Sequence, residues 1–229
     1  MNDIIDIKTP LDLTKHRFGR SNDGGYVIAM DDFKYDLLIG CGIGDDISFE
    51  DDFLTLYEKV KCIVYDGTIS HLPKYRSAIK NRIEWKKENV LGKNIDLSGK
   101  QIFLKMDIEG GEYKFLEEMT NNDFRKLAQI VMEFHSGGQW GDWDEYKIKC
   151  IKKIFDTHYL IHFHSNNNSP LKHDVDCLNS IPCVWEGTFI RKDLIGDFVD
   201  NEDELPTKWD EQNQVLRADY KLCGFPYIR

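Results

Sequence analysis

No apolar run in this chain approaches the roughly 18 residues that a membrane-spanning helix needs. The first residues, Met1-Asn2-Asp3-Ile4-Ile5-Asp6, carry neither the basic flank nor the apolar stretch of a secretion signal. The expectation is a soluble, cytoplasmic protein with no membrane span. Six cysteines stand at 41, 62, 150, 177, 183 and 223, and none forms a Cys-x-x-Cys pair. That spacing argues against a zinc knuckle or a disulfide framework and for buried thiols in a reducing compartment. Positive charge is also short: 30 Lys and Arg against 40 Asp and Glu leave a formal net charge of -10. No basic stripe with interleaved aromatics compensates, so nucleic acid is not an expected partner. Repeats and low-complexity linkers are absent too.

What is present is a chain of 229 residues, 41% hydrophobic, long enough for a single domain (1–229) with a buried core. Short β-branched apolar runs alternate with amphipathic stretches. The strand candidates are 36–40, 61–66, 83–88, 101–106, 129–135, 158–164 and 183–190. Between them, Phe49, Phe53, Leu54, Leu56 and Tyr57 form one broad apolar face. Phe115, Leu116 and Met119 form a second, and Ile148, Ile151, Ile154 and Phe155 a third within 144–157. All three read as core packing. The pattern predicts a doubly wound α/β fold, with a seven-stranded, mostly parallel, Rossmann-like sheet. Its last strand should be antiparallel, because no convincing helix links the last two candidates. The acidic stretch 197–204 reads as a solvated loop. The aromatics beyond it, through Trp209, Leu222 and Tyr227, should pack on the domain.

The first strand runs into Leu38-Ile39-Gly40-Cys41-Gly42-Ile43-Gly44-Asp45-Asp46 and then a helical stretch. Glycine is needed there because the backbone must turn sharply and approach a ligand without a Cβ in the way. A dinucleotide loop spaces its glycines G-x-G-x-x-G and seats a pyrophosphate on the helix N-terminus. Here the third glycine comes one residue early, and two carboxylates follow that would repel a pyrophosphate. They suit S-adenosylmethionine (SAM), which carries a sulfonium and an ammonium. Asp45, Asp46 or Ser48 could equally cap the next helix. The second strand ends Tyr65-Asp66-Gly67-Thr68, where an acid can accept hydrogen bonds from both ribose hydroxyls of an adenosine cofactor.

The fourth strand leads into Asp107-Ile108-Glu109, and the fifth ends Glu133-Phe134-His135. Polar residues two apart share a face if the chain stays extended. Adjacent parallel strands would then gather Asp107, Glu109, Glu133 and His135 at the carboxyl edge of the sheet, where open α/β sheets bind ligands. Methyl transfer to a hydroxyl needs that hydroxyl deprotonated, and a positioned base contributes about a hundred- to ten-thousand-fold. His135 is the expected base, oriented by Glu133 or Asp107. No metal is assigned; were these groups to hold one instead, their oxygen-rich set would favour Mg²⁺ over zinc. The sixth strand adds His162 and His164, followed by Asn166, Asn167 and Asn168. The loop Ser136-Gly137-Gly138-Gln139-Trp140-Gly141-Asp142-Trp143 offers two indoles, either to cover an acceptor or to pack beneath the loop.

The run Leu104-Lys105-Met106-Asp107-Ile108-Glu109-Gly110-Gly111-Glu112 resembles the strand-four signature of FkbM-type methyltransferases, Lys-x-Asp-x-Glu-Gly-x-Glu. Arg17 to Val27, with Asp23-Gly24-Gly25-Tyr26, is similar to an N-terminal element of one branch of that family. So are Gly42 to Glu50, Glu133-x-His135, His164-x-Asn166-Asn167 and Glu186-Gly187-Thr188-Phe189-Ile190. The resemblance spans the chain from about Arg17 onward. One departure is Gly67, where the branch has proline. The resemblance implies the class I methyltransferase fold, SAM as cofactor and O-methylation of a saccharide or nucleotide-activated sugar, such as a precursor of a capsule or other surface glycan. It places Asp23, Gly24, Gly25 and Tyr26 near the cofactor, together with Gly40, Cys41, Gly42, Gly44, Asp46, Ser48, Asp66, Thr68 and Asp107. Trp140, Trp143, His164 and Asn166 would meet the acceptor. Two rivals are an NAD-dependent oxidoreductase or epimerase and a non-catalytic binding subunit of the same fold. The early third glycine and the lack of a Tyr-x-x-x-Lys pair speak against the first.

Overall fold

Seven strands carry the site, numbered here in chain order along the central sheet: β1 (Leu37–Cys41), β2 (Lys61–Tyr65), β3 (Ile83–Lys86), β4 (Ile102–Met106), β5 (Leu127–His135), β6 (His158–Ser165) and β7 (Val184–Arg191). They are seen in a computed structural model that describes residues 4–30, 32–136, 142–173 and 180–228. Every residue of β1, β4 and β7 is buried. Strands covered on both faces read as unbroken apolar runs, which is why each expected boundary lies within two residues of the observed one.

The strand order is β3-β2-β1-β4-β5-β7-β6, with β7 antiparallel to both of its neighbours. β1 pairs in parallel with β2 on one side and with β4 on the other. The chain therefore builds outward from β1 in one direction, then returns to build in the other from β4. The sheet is doubly wound and Rossmann-like, mostly parallel with its last strand antiparallel, as the sequence pattern predicts. A crevice opens above the carboxyl ends of β1 and β4, where the direction of winding reverses.

Four helices follow the expected apolar stripes or join the strands: α1 (Ser48–Leu56), α2 (Glu112–Glu118), α3 (Asn121–Phe124) and α4 (Glu145–Phe155). One face of the sheet buries Phe115, Leu116, Ile151 and Ile154 against Trp185 and Phe189. The other buries Phe49, Phe53 and Leu54 against Phe103 and Val131.

A hairpin of Thr14–Phe18 and Tyr26–Met30 lies over this second face. It is stapled there by polar side chains of the sheet. Buried Gln129 accepts from the Ala29 N–H at 2.7 Å, and its amide donates back to the Ala29 carbonyl at 3.2 Å and to the Tyr35 hydroxyl at 2.8 Å. The Thr188 hydroxyl donates to the Val27 carbonyl.

Two expectations need correction. The stretch 197–204 is not simply a solvated loop: Phe198–Asp200 pairs antiparallel with Lys8–Pro10, and Asn201 is buried with its amide on the carbonyls of Asp203 and Tyr227. Of the cysteines, 41, 62, 150 and 183 are buried and free as expected, but Cys223 is exposed; Cys177 lies outside the described residues. Leu222 and Tyr227 do pack into the core. No helix among the described residues is long and apolar enough to cross a membrane.

Candidate active site

The loop after β1 turns through two left-handed glycines, Gly42 (φ +71°) and Gly44 (φ +50°). At Gly42 a Cβ would stand 1.6 Å from the Asp107 carbonyl oxygen, so no other residue fits without displacing the backbone after β4. At Gly44 a Cβ would meet nothing within 4 Å, so the loop faces open space there. The two loops are joined again by the Asp107 N–H, which donates to the Cys41 carbonyl at 3.0 Å. Above them lies a cavity of about 600 Å³, within the usual size range of small-molecule sites.

Of the residues expected around a cofactor, Asp23, Gly24, Tyr26, Gly42, Gly44, Asp46, Asp66, Thr68 and Asp107 line this cavity. Gly25, Gly40, Cys41 and Ser48 are not among its lining residues. Cys41 is fully buried in the core, and burial pushes its thiol far up. Gly40 leaves room for Glu50, whose Oε1 would be 2.3 Å from a Cβ there. Gly25 does the same for the Arg17 guanidinium. Ser48 bonds the hairpin turn: its Oγ accepts from the Arg20 N–H at 2.7 Å and donates to Asp46 at 2.9 Å. Asp46 also accepts from the Ser48 N–H at 3.0 Å, so it does serve the helix start while lining the cavity.

Asp66 shapes the loop as well as the cavity. One oxygen accepts from the Gly44 N–H at 2.9 Å; the other accepts from the Thr68 N–H at 2.8 Å and the Thr68 hydroxyl at 2.6 Å. Burial works against its charge, but these bonds outweigh it and hold the carboxyl below the usual carboxylate range. Lys105 and the segment Glu88, Asn89, Val90 and Leu91 also line the cavity, and none of them was expected there from the sequence. Glu88–Leu91 follows β3, so the rule that ligands sit beyond the carboxyl ends of strands would have found it.

Eight carboxylates line the cavity against three cations, Arg20, Lys105 and Lys114. Lys105 is turned inward, its ammonium on the Gly42 carbonyl at 2.9 Å and over the Tyr26 ring. Two buried acceptor atoms, Glu50 Oε1 and Asp107 Oδ1, meet no hydrogen-bond donor among the described residues. The cavity therefore suits a ligand that brings donors and positive charge, and it repels one whose contact groups are anionic acceptors.

Asp107 joins the cavity to the acid–histidine cluster, whose other members, Glu133 and His135, are not among the lining residues. Asp107, Glu133 and His135 each present a ligand-type atom, and these atoms lie within 4.8 Å of one another. Glu133 and His135 share a face of β5, as period-two alternation predicts. Glu109 departs from expectation. The chain leaves β4 at Met106, and Glu109 sits at φ +55° with its side chain 85% exposed. It reaches only His135 Nε2, at 3.5 Å.

The partner that orients His135 is not Glu133 or Asp107 but Glu112, fully buried, whose Oε1 lies 3.2 Å from His135 Nδ1. The same oxygen accepts from the N–H groups of Ile108 and Gly110, so one carboxylate fixes both the turn after β4 and the imidazole. Burial opposes the charge on His135, but Glu112, Asp107 and Glu109 together raise its pKa. Burial pushes the Glu133 carboxyl well up, reinforced by Asp107 and Glu186 and opposed only by the Asn166 amide at 2.8 Å. The Tyr26 hydroxyl donates to Asp107 Oδ2 at 3.0 Å.

The residues expected to meet an acceptor are placed differently. Trp140 lies outside the described residues. Trp143 packs inward: its indole N–H donates to the Pro182 carbonyl at 2.9 Å, and its ring contacts Tyr113 and Trp185. His164 is 4% exposed, between Glu186 at 3.4 Å and Asp219 at 3.2 Å. Asn166 holds Glu133. His164, with His162 on Asp210 at 2.7 Å, Glu186 on Asn213 at 2.8 Å and Asn167 on the backbone of Gln214 and Arg217, fastens a C-terminal strap over β7 and β6. The strap's partners were missed because nothing in its polar sequence states what it binds. Glu186 could have been foreseen, since it stands opposite Glu133 and His164 in the sheet register.

No family model and no curated protein matches this chain. Solved structures do. A fibrillarin/Nop5p complex matches at 8% identity over 68% of this chain and 72% of that one, with a TM-score of 0.39. A precorrin-6y C5,15-methyltransferase from Geobacter metallireducens matches at 12% identity over 68% and 80%, also with a TM-score of 0.39. An S-adenosylhomocysteine-bound methyltransferase of calicheamicin biosynthesis matches at 9% identity over 70% and 50%, with a TM-score of 0.38. At this level the likeness concerns the fold alone.

Proposed function

We propose that the chain is a SAM-dependent O-methyltransferase acting on a hydroxyl of a saccharide or nucleotide-activated sugar. The observation that carries the reading is an acidic cavity over β1, β2 and β4, one of whose lining residues, Asp107, also belongs to an acid–imidazole cluster with Glu133 and His135. When bound, SAM supplies an electrophilic methyl group on a sulfonium. Asp66, at the end of β2, would take the ribose hydroxyls in place of part of its present loop bonding, and Glu88–Leu91 would flank the base. The unfilled acceptor on Glu50 suits a donor group of the cofactor. A pyrophosphate would face eight carboxylates, which disfavours the nicotinamide alternative.

The acceptor hydroxyl would lie beside Asp107, Glu133 and His135. His135, held through Nδ1 by Glu112, keeps Nε2 for the hydroxyl proton, and the charge of Glu112 stabilises the imidazolium that results. The saccharide class, the FkbM-type assignment, the cytoplasmic site of action and a place in surface-glycan synthesis rest on the sequence resemblance. Calorimetry with S-adenosylhomocysteine and with NAD tests the donor. Tight NAD binding without S-adenosylhomocysteine binding would overturn the reading. Methyl transfer to a panel of nucleotide sugars tests the acceptor, and transfer only to a non-saccharide would remove the sugar assignment.

A further inference from the structure

The acid–imidazole cluster gathers more carboxyl groups than proton abstraction requires. Asp107 has one oxygen on the Tyr26 hydroxyl, while the other is buried without a donor among the described residues. Glu133 is 4% exposed, and Asn166 donates to its Oε1. Glu186 stands directly across the sheet from Glu133. No lysine or arginine among the described residues answers these acids, because Lys105 is committed to the Gly42 carbonyl and the Tyr26 ring.

The histidine is set as metal-ligating histidines are. Such a ring nearly always places its other nitrogen on a carboxylate, a carbonyl or water, which fixes its tautomer and its orientation. His135 places Nδ1 on Glu112, a fully buried carboxylate anchored by two backbone N–H groups, and so presents Nε2. Atoms from all three side chains fall within 4.8 Å of one another, close enough to surround one ion.

We infer that Asp107, Glu133 and His135 bind one divalent cation, of the Mn²⁺ or Mg²⁺ class, at the acceptor side of the cavity. Two carboxylates with one imidazole suit an oxygen-preferring ion, and three protein ligands leave coordination positions open. Neighbouring hydroxyls of a sugar are the chemistry that would fill them. The ion then orients the acceptor and lowers the pKa of its hydroxyl. A cation and a proton exclude one another on Nε2, so in the loaded protein His135 is a ligand and not the base, and the proton of the acidified acceptor hydroxyl leaves to solvent water as the methyl group is transferred. This rests on the methyl-transfer reading of the same cleft.

The full chain, stripped with EDTA and dialysed, is titrated with Mn²⁺ near neutral pH while free Mn²⁺ is followed by electron paramagnetic resonance. Saturable uptake of a single ion is expected. Glu133→Gln, which keeps the Asn166 bond, should weaken it at least about tenfold, and Glu112→Gln by about 10- to 100-fold. Both variants should keep the wild-type melting temperature to within a few degrees. No saturable uptake, or uptake that neither substitution weakens, overturns the site. S-adenosylhomocysteine calorimetry on the stripped chain tests the donor separately. Loss of that binding with Mn²⁺ uptake intact sinks the methyl-transfer reading and leaves the ion site standing.

Discussion

Above β1, β2 and β4 the cleft is shaped mainly by backbone. Two left-handed glycines, one of them against the Asp107 carbonyl, and a carboxylate on the Gly44 N–H fix the course of the loop. Across β5, β7 and β6 the same edge of the sheet instead carries buried polar side chains, Glu133, Glu186, His162 and His164, the last three tied to a strap that brings Asp210, Asn213 and Asp219. The first half tolerates almost no change of shape, and the second almost no change of charge. A donor common to many enzymes needs only a fixed cradle, whereas an acceptor is recognised by placed polar groups.

Substitutions can separate the halves. Gly42→Ala should have the largest effect, because its Cβ would overlap the Asp107 carbonyl and its φ is positive. A loss of about 3 kcal/mol or more is expected, together with loss of S-adenosylhomocysteine binding; thermal melts and calorimetry measure both. Glu112→Gln keeps the bonds from Ile108 and Gly110 but removes the charge beside His135. Turnover should fall about 10- to 100-fold while S-adenosylhomocysteine affinity changes less than about twofold; a matching loss of cofactor affinity would dissolve the distinction between the halves. Asp66→Asn should act on the other side only, raising the KM for SAM about tenfold, the equivalent of one charge-assisted hydrogen bond.

The smallest effect concerns the strap. Burial disfavours the charge on His164, but Glu186 and Asp219 prevail and hold its pKa well above 6.5. A raised folded-state pKa stabilises the protein most where the unfolded histidine is already protonated. Its contribution is therefore full below about pH 6.5 and declines as pH rises through the folded-state value. The melting-temperature gap between wild type and His164→Asn should be widest near pH 6 and narrow by a few degrees towards pH 9. A gap that widens with pH would contradict the pairing.

The two halves also differed in how plainly the sequence announced them. Leu37–Cys41 and Ile102–Met106 are buried on both faces, so their apolar runs showed strand and position together. Thr14–Phe18 is half exposed and reads Thr-Lys-His-Arg-Phe, which no hydrophobic pattern marks as a strand. The glycine spacing pointed to a turn because its reason is local. Glu112 was in view, but its role depends on a ring 23 positions away. Glu109 misled because alternation holds only while a strand lasts, and β4 ends at Met106. Asp210, Asn213 and Asp219 find their partners through tertiary folding alone.

The staples under the hairpin carry a consequence for traffic. With Gln129 holding Ala29 and Thr188 holding Val27, the hairpin is a wall that cannot swing without stranding buried amides. Asp45 and Glu109 also line the cavity, with side chains 95% and 85% exposed. With that wall fixed, the exposed acids are free to meet a positively charged visitor by attraction before it touches the cradle.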